Sequence, residues 1–265
     1  MAILERCDDG AITHLRLNAP DTLNALSDGM LDALHDTCDA LEAEAGQPGA
    51  PRVVILSGAG RAFCAGHHLR EMQAKRQAPD GGAAAIRALF DRCGALMTRL
   101  QRLPQPVIAQ VHGIATAAGC QLVATCDLAV AADTTRFGVN GVNIGLFCST
   151  PMVALSRNLP RKQAFEMLTT GTFIDAERAL TLGLVNRVVP EDALGEATQE
   201  LAETIAAKLG AAVRIGKRAF YEQLDMSIDD AYRHTGDVML ENMMDKNTEE
   251  GINAFLEKRS PDWTQ

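Results

Sequence analysis

Two stretches of small residues carry the chemistry that can be read directly. Arg61-Ala62-Phe63-Cys64-Ala65-Gly66-His67-His68-Leu69 follows the apolar run Val53-Val54-Ile55-Leu56. His112-Gly113-Ile114-Ala115-Thr116-Ala117-Ala118-Gly119-Cys120-Gln121-Leu122 follows the run from Val107 to Val111. Small side chains let a ligand come close to backbone N–H groups. In the second stretch a short helix is predicted from Ala118 to Thr125, so unpaired amides and the positive dipole end leave the strand end together. Two such donors on separate loops form an oxyanion hole, which stabilises a carbonyl oxygen as negative charge develops on it. Either stretch alone reads as a tight connection.

Other candidate groups are fewer. Cys148-Ser149-Thr150-Pro151 reads as a helix start, with Thr150 as N-cap and Pro151 in the first turn. A cysteine there gains a lowered pKa; the alternative is a packing cysteine beside a cap. His68 reads as an acid/base group, a ligand contact or a solvated turn residue. Asn140 and Asn143 can orient a substrate or satisfy turn backbone, and His112 suits a structural hydrogen bond. Three tempting motifs fail. Gly58-Ala59-Gly60 has Phe63 where a dinucleotide fingerprint needs its third glycine. Gly210 and Gly216-Lys217 have the wrong spacing for a phosphate loop, and Arg218 stands where Ser or Thr is needed. No G-x-S-x-G nucleophile elbow occurs. Seven cysteines, none in C-x-x-C or zinc spacing, read as small hydrophobes in a reducing compartment, so the expectation is a cytoplasmic protein with no metal.

These groups need elements to hold them. Ala11 to Leu17 alternates as a strand does, and Asn18-Ala19-Pro20-Asp21 is a turn. Ser27 is a candidate N-cap for a helix with apolar Leu31, Leu34, Cys38 and Leu41. The segment from Gly46 to Pro51 ends it. Val53 to Leu56, Val107 to Val111 and Leu128 to Ala132 are apolar runs suited to strands buried on both faces. A second amphipathic helix carries Ile86, Leu89, Cys93, Leu96 and Leu100, and Pro104 and Pro106 end it. Strand, helix, strand in this order gives a parallel sheet with right-handed crossovers. Beyond about Pro190 no strand signal returns, and three or four helices fill residues 192–258. The predicted division is a core of residues 1–195 and a helical oligomerisation region of residues 196–265. In the latter, Leu201, Ile205, Leu209, Leu224, Ile228, Met239 and Met243 supply apolar faces.

Composition narrows the partners. In 265 residues there are 25 Lys+Arg against 34 Asp+Glu, a net charge of −9. A basic face for nucleic acid or an anionic membrane surface is therefore not expected. No run approaches the roughly 18 apolar residues of a membrane span, and the first residues lack the apolar core of a signal peptide.

Taken together, the motifs resemble the crotonase, or enoyl-CoA hydratase/isomerase, superfamily over nearly the whole chain. The likeness runs through Asn24-Ala25-Leu26, Phe63-Cys64-Ala65-Gly66, the block from Gly113 to Asp127, Phe137-Gly138, Leu182-Gly183-Leu184-Val185 and Gly251-Ile252-Asn253-Ala254-Phe255. A narrower group within it is indicated by Phe147-Cys148-Ser149-Thr150-Pro151, Pro160-Arg161-Lys162 and Pro261-Asp262-Trp263. The resemblance implies an α/β fold with a ββα-spiral core and a helical C-terminal region, assembled as a trimer or hexamer. It implies an acyl-coenzyme A thioester as partner, coenzyme A being part of the substrate and no separate cofactor being needed. Its carbonyl would lie between the amides of His67 and Ala118. The rest of the coenzyme would run along Ala25-Leu26 and along Ala65, Gly66, His67, His68, Leu69 and Arg70, with Arg61 and Arg70 near phosphates. Lys258 would come from a neighbouring subunit.

The sequence departs from the family where the chemistry is done. Family hydratases hold and activate water with two glutamates, and the aligned residues here are Gln121 and Gly141. Gln121 can hydrogen-bond water but cannot take its proton. Each general acid–base group is worth roughly 10²–10⁴ in rate, so hydration is expected to be weak or absent. The isomerases also use a carboxylate aligned with Gly141. The dienoyl isomerases need an acid near Ser149, and the naphthoate synthases an Asp aligned with Cys148. Two readings follow: an enzyme of lyase or isomerase type on acyl-CoA with other chemistry, in which Cys148 takes part, or an acyl-CoA-binding protein whose catalysis has lapsed.

Overall fold

The computed structural model describes residues 2–263. Its strands are β1 (Leu4–Asp9), β2 (Ile12–Leu17), β3 (Val53–Gly58), β4 (Val107–Val111), β5 (Ile114–Thr116), β6 (Leu128–Ala132), β7 (Arg136–Gly138), β8 (Ile174–Asp175) and β9 (Arg187–Val189). Its helices are α1 (Asp28–Glu44), α2 (Leu69–Lys75), α3 (Ala83–Arg102), α4 (Ala118–Thr125), α5 (Pro151–Asn158), α6 (Arg161–Thr170), α7 (Ala176–Leu182), α8 (Leu194–Ala206), α9 (Gly210–Gln223), α10 (Ile228–Met243) and α11 (Lys246–Glu257). No helix among the described residues is long and apolar enough to cross a membrane.

The large sheet has the order β1-β2-β3-β4-β6-β9, with β1 antiparallel to β2 and the other pairs parallel. The apolar runs divide by alternation. Val54, Leu56, Ala109 and Ala131 face the main core with α1 and α3. Val53, Ile55, Ile108, Val130 and Ala132 pack with Leu194, Ala202 and Ala206 of α8. Burial on both faces is why these strands lack polar alternation. Ser27 caps α1, its hydroxyl accepting from the Met30 amide at 3.1 Å.

A smaller sheet, β5-β7-β8, stands at the C-terminal end of β4. It converts part of the predicted loop from His112 to Ala117 into a strand, and it positions the residues below. Two further elements differ from the sequence expectation. β1 carries Glu5, Arg6, Asp8 and Asp9, because an edge strand with one wet face has no need of an apolar pattern. The seven-residue α2 is capped by His68, which is not a residue that marks helix starts in sequence.

The C-terminal helices do not behave as one unit. The boundary at 195/196 falls within α8, which packs on the sheet. Leu201 and Ile205 pack against that cluster and Leu209 is buried, whereas Leu224, Ile228, Met239 and Met243 remain exposed. Lys217 anchors α9. Its ammonium donates to the Leu100 and Gln105 carbonyls at 3.0 and 2.9 Å and to Asp127 at 2.7 Å. Asp127 also accepts from the Tyr221 hydroxyl at 2.8 Å and the Val107 amide at 2.6 Å. Burial lowers the Lys217 pKa, and the Asp127 carboxylate opposes that shift.

Candidate active site

The loop from Ala59 to His68 is held by backbone on every side. Asn24, fully buried, donates from Nδ2 to the Ala59 and Ala62 carbonyls, each at 2.8 Å. Its Oδ1 accepts from the Ala19 amide at 2.9 Å. The amides of Leu26 and Ala65 exchange with this neighbourhood through Gly66 O at 2.8 Å and Leu23 O at 3.0 Å. Sequence reading assigned Asn24 no role; an asparagine just after the Asn18-Ala19-Pro20-Asp21 turn was the available signal, and it adopts φ 54°. His112 Nε2 lies 2.7 Å from the Gly60 carbonyl, the structural hydrogen bond expected of it.

The two small-residue stretches meet. Cys64 pairs with Ala115, and the Thr116 amide donates to the Cys64 carbonyl at 3.0 Å. At Gly66, φ is +88°, and a Cβ would lie 2.9 Å from Ala117 Cβ and 3.1 Å from the Ala118 nitrogen. Glycine is required there by conformation and by space. Ala117 has φ 49° and ψ −120°, a strained conformation for a residue with a Cβ, costing on the order of 1–3 kcal/mol. Its own amide bonds to Gly138 O at 2.9 Å. The following residue, Ala118, opens α4, so its N–H has no carbonyl one turn back to receive it.

Ala118 and Ala117 border a cavity of about 310 Å³, together with Ala65 and His67 from the first loop. Leu69, Met72, Phe90, Ile144, Leu146 and Phe147 make most of the remaining wall apolar. Gly141 and Cys148 also line it, and among the described residues no carboxylate, lysine or arginine does. His67 packs edge-on against Phe90, with centroids 5.7 Å apart. Burial lowers its pKa, partly offset by the Leu26 backbone, and both ring nitrogens are shielded. Burial thus disfavours the charged form of this wall imidazole.

Other predicted residues stand outside the wall. Ala25 is buried, and Gly66 packs against Ala117 and the Ala118 nitrogen where the two loops meet. His68 caps α2, its Nδ1 accepting from the Glu71 amide at 3.2 Å. Arg70 is exposed on α2 and Arg61 is exposed on its loop. Gln121 is 4% exposed, and its Oε1 has no hydrogen-bond partner. Lys258 ends α11 in a left-handed conformation, away from this cavity in its own chain.

Two expectations at the start of α5 are corrected. Thr150 occupies the N-cap position, but its side chain makes no capping hydrogen bond, its backbone being helical. The Cys148 thiol is raised by burial, not lowered, with the Gly141 backbone pulling weakly the other way. Cys148 Sγ also crowds Gly141. A Cβ there would lie 2.9 Å from the sulfur and 2.2 Å from the Leu146 carbonyl oxygen.

A spiral of strands and helices with two loops converging on an apolar cavity is the architecture of the crotonase class. The chain belongs to the enoyl-CoA hydratase/isomerase family, whose model matches residues 8–265. It is 48% identical over 253 residues to the mitochondrial enoyl-CoA hydratase domain-containing protein 3 of Xenopus laevis, covering 96% of this chain and 83% of that one. This is the narrower group indicated by the Phe147 to Pro151 and Pro261 to Trp263 segments. A crystal structure of an enoyl-CoA hydratase from Mycobacterium smegmatis superimposes with a TM-score of 0.92 at 50% identity, covering 99% of both chains. That of human enoyl-CoA hydratase domain-containing protein 3 gives 0.90 at 41% identity, covering 98% of this chain and all of the other.

Proposed function

We propose that the protein binds an acyl-coenzyme A thioester whose carbonyl oxygen is held by the amides of His67 and Ala118. The observation that carries this reading is the junction of the two loops at one apolar cavity, with Ala117 strained immediately before the helix-opening amide of Ala118. Preorganised amides in a site of low polarity stabilise a developing oxyanion without reorganising. Coenzyme A enters as part of the substrate, running past Ala25 and Ala65 to Arg70, with Lys258 supplied by a neighbouring subunit of a trimer or hexamer. The seven free thiols suit a reducing compartment, and the cytoplasm is the proposed location.

Hydration is weak or absent in this reading, because Gly141 has no side chain and Gln121 cannot accept a proton. A wall without a carboxylate equally favours the second reading, a binding protein whose catalysis has lapsed. Mass spectrometry of an acyl-CoA panel after incubation separates the two.

The test of binding is a titration of acyl-CoA into the parent and into Ala118→Pro, which removes the donor. Expected is at least a tenfold loss of affinity in the variant, with melting temperature and oligomeric state retained. His67→Ala, which keeps its amide, changes affinity little. A folded Ala118→Pro that binds like the parent overturns the oxyanion assignment. Crotonyl-CoA hydration by the parent is expected at least roughly two orders of magnitude below that of a two-glutamate hydratase.

A further inference from the structure

The short helix α2 borders the cavity through Leu69 and Met72, yet none of its residues is buried. Leu69 is 56% exposed, and Met72 packs, partly buried, against the main core. The neighbouring α1 and α3 each sink a full apolar stripe, Leu31, Leu34 and Leu41 in one and Leu89, Leu96 and Leu100 in the other. Apolar burial therefore holds α2 weakly, and a segment held in this way opens locally at low cost.

Polar contacts hold it instead, and they converge on Asp28 at the start of α1. The Asp28 carboxylate accepts from the Lys75 ammonium through one oxygen and from the Arg92 guanidinium of α3 through the other. The Asp28 amide donates to Glu71 Oε2 at 2.9 Å. Asp28 thus grips α2 at its middle and at its end. Arg92, which also donates to Asp32 at 2.9 Å, keeps the carboxylate in place. The Lys75 hydrogen bond foremost holds the Asp28 carboxyl below its ordinary pKa, so the contact is ionic at neutral pH. Beyond these contacts the chain is fixed on either side of α2. His67 pairs with Leu26 before it, and Asp80 accepts from the Gly82 and Ala84 amides at 2.9 and 3.0 Å after it. Gly81 and Gly82, at φ +68° and +79°, stand at the second fixed point, where a hinge needs residues that absorb backbone rotation.

We propose that α2 is a lid over the cavity, latched shut by the Asp28 carboxylate across Lys75, and that ligand enters and leaves as this latch opens. Lifting α2 takes Leu69 and Met72 out of the wall and leaves His67 paired with Leu26. The identity of the ligand under the lid rests on the acyl-thioester reading; the latch rests on the contacts of Asp28 alone.

The test uses the parent, Asp28→Asn and Lys75→Met, the second of which leaves the charge at the start of α1 untouched. Loss of one partly exposed ion pair corresponds to about a two- to fivefold rise in local opening. Backbone hydrogen exchange is expected to quicken by that factor in residues 69–75 of both variants and to stay unchanged in the middle of α3. Added salt is expected to act in the same direction on the parent and to have little effect on the variants. A latch that closes over the free and the occupied cavity alike gates traffic without altering either end state. Stopped-flow mixing with an acyl-CoA is therefore expected to show association and dissociation faster by the same factor in the variants, with the dissociation constant unchanged. Unchanged α2 exchange in both variants, at retained melting temperature, overturns the latch and leaves the acyl-thioester reading standing. Faster dissociation with unchanged association makes α2 a wall contact only and overturns the lid. Faster α2 exchange together with a parent that binds no acyl-CoA overturns the acyl-thioester reading and leaves the latch standing.

Discussion

At the scale of single residues, Gly141, which the resemblance aligns with a hydratase glutamate, stands where a side chain has no room. Its Cβ direction points 2.2 Å from the Leu146 carbonyl oxygen, a backbone atom that cannot swing aside as a side chain can. The segment from Leu146 to Cys148 fills the space that a side chain at this position would need. Gly141→Ala is therefore expected to destabilise the protein by about 1–3 kcal/mol, as overpacking does. Gly141→Glu combined with Gln121→Glu is expected to fold less stably still and to gain no hydratase activity. Urea unfolding and crotonyl-CoA turnover check both points; a stable double variant with a hundredfold gain in turnover would show that the loop yields. Gln121 and Gly141 were legible in the sequence, and the resemblance aligns them with the two glutamates of family hydratases. The sequence could not display the crowding, which depends on where a carbonyl five residues away is placed. The same limit explains Cys148. Proximity to a helix start argues for a lowered thiol pKa, but burial outweighs a start that the Thr150 side chain does not cap.

At the scale of elements, the Glu250 carboxylate of α11 gathers most of the hydrogen bonds that hold the chain beyond it. Glu250 accepts from both Arg259 guanidinium nitrogens at 2.6 and 2.8 Å and from the Asp262 amide at 2.9 Å. These contacts, the Arg259 hydrogen bond foremost, hold the Glu250 pKa down to about 2 from 4.5. A depressed carboxylate adds stability above its unfolded value and loses it as pH falls toward the folded value. The C-terminal segment is thus expected to loosen between about pH 4.5 and pH 2. Trp263, the single tryptophan, reports on it: its indole N–H donates to the Ala207 carbonyl at 3.3 Å, and its ring lies over Gly251. Glu250→Gln is expected to red-shift Trp263 emission at neutral pH without lowering the melting temperature of the core. An unchanged spectrum would mean that the ring contact alone holds the segment. Elements such as β3, β4 and β6 were legible because strands buried on both faces leave an unbroken apolar run. β5, β7 and β8, at two or three residues, are too short to show a period, and pairing alone defines them.

At the scale of the whole molecule, the helices divide between those that complete the core and those that present apolar surface. α8 covers the back of the large sheet, and α9 is tied to it through Lys217. Beyond them, Tyr232, Met239 and Met243 fall at positions 7 and 4 apart on α10, one face of the helix, and are 75%, 69% and 56% exposed. Phe255 and Leu256 of α11 are 82% and 71% exposed. Exposed apolar side chains along one helix face are candidates for an interaction face. The proposed occupants are further copies of the same chain, as the family resemblance implies. Light scattering is therefore expected to give three or six times the 28.4 kDa of one chain at micromolar concentration. Met239→Lys with Met243→Lys places two like charges on the face and is expected to yield smaller species, with the circular dichroism of the helices retained. If Lys258 reaches a neighbour's coenzyme, the same pair of substitutions weakens acyl-CoA binding although neither residue borders the cavity. A parent that is a stable monomer, or a dissociated variant that binds acyl-CoA as the parent does, would separate the site from the assembly.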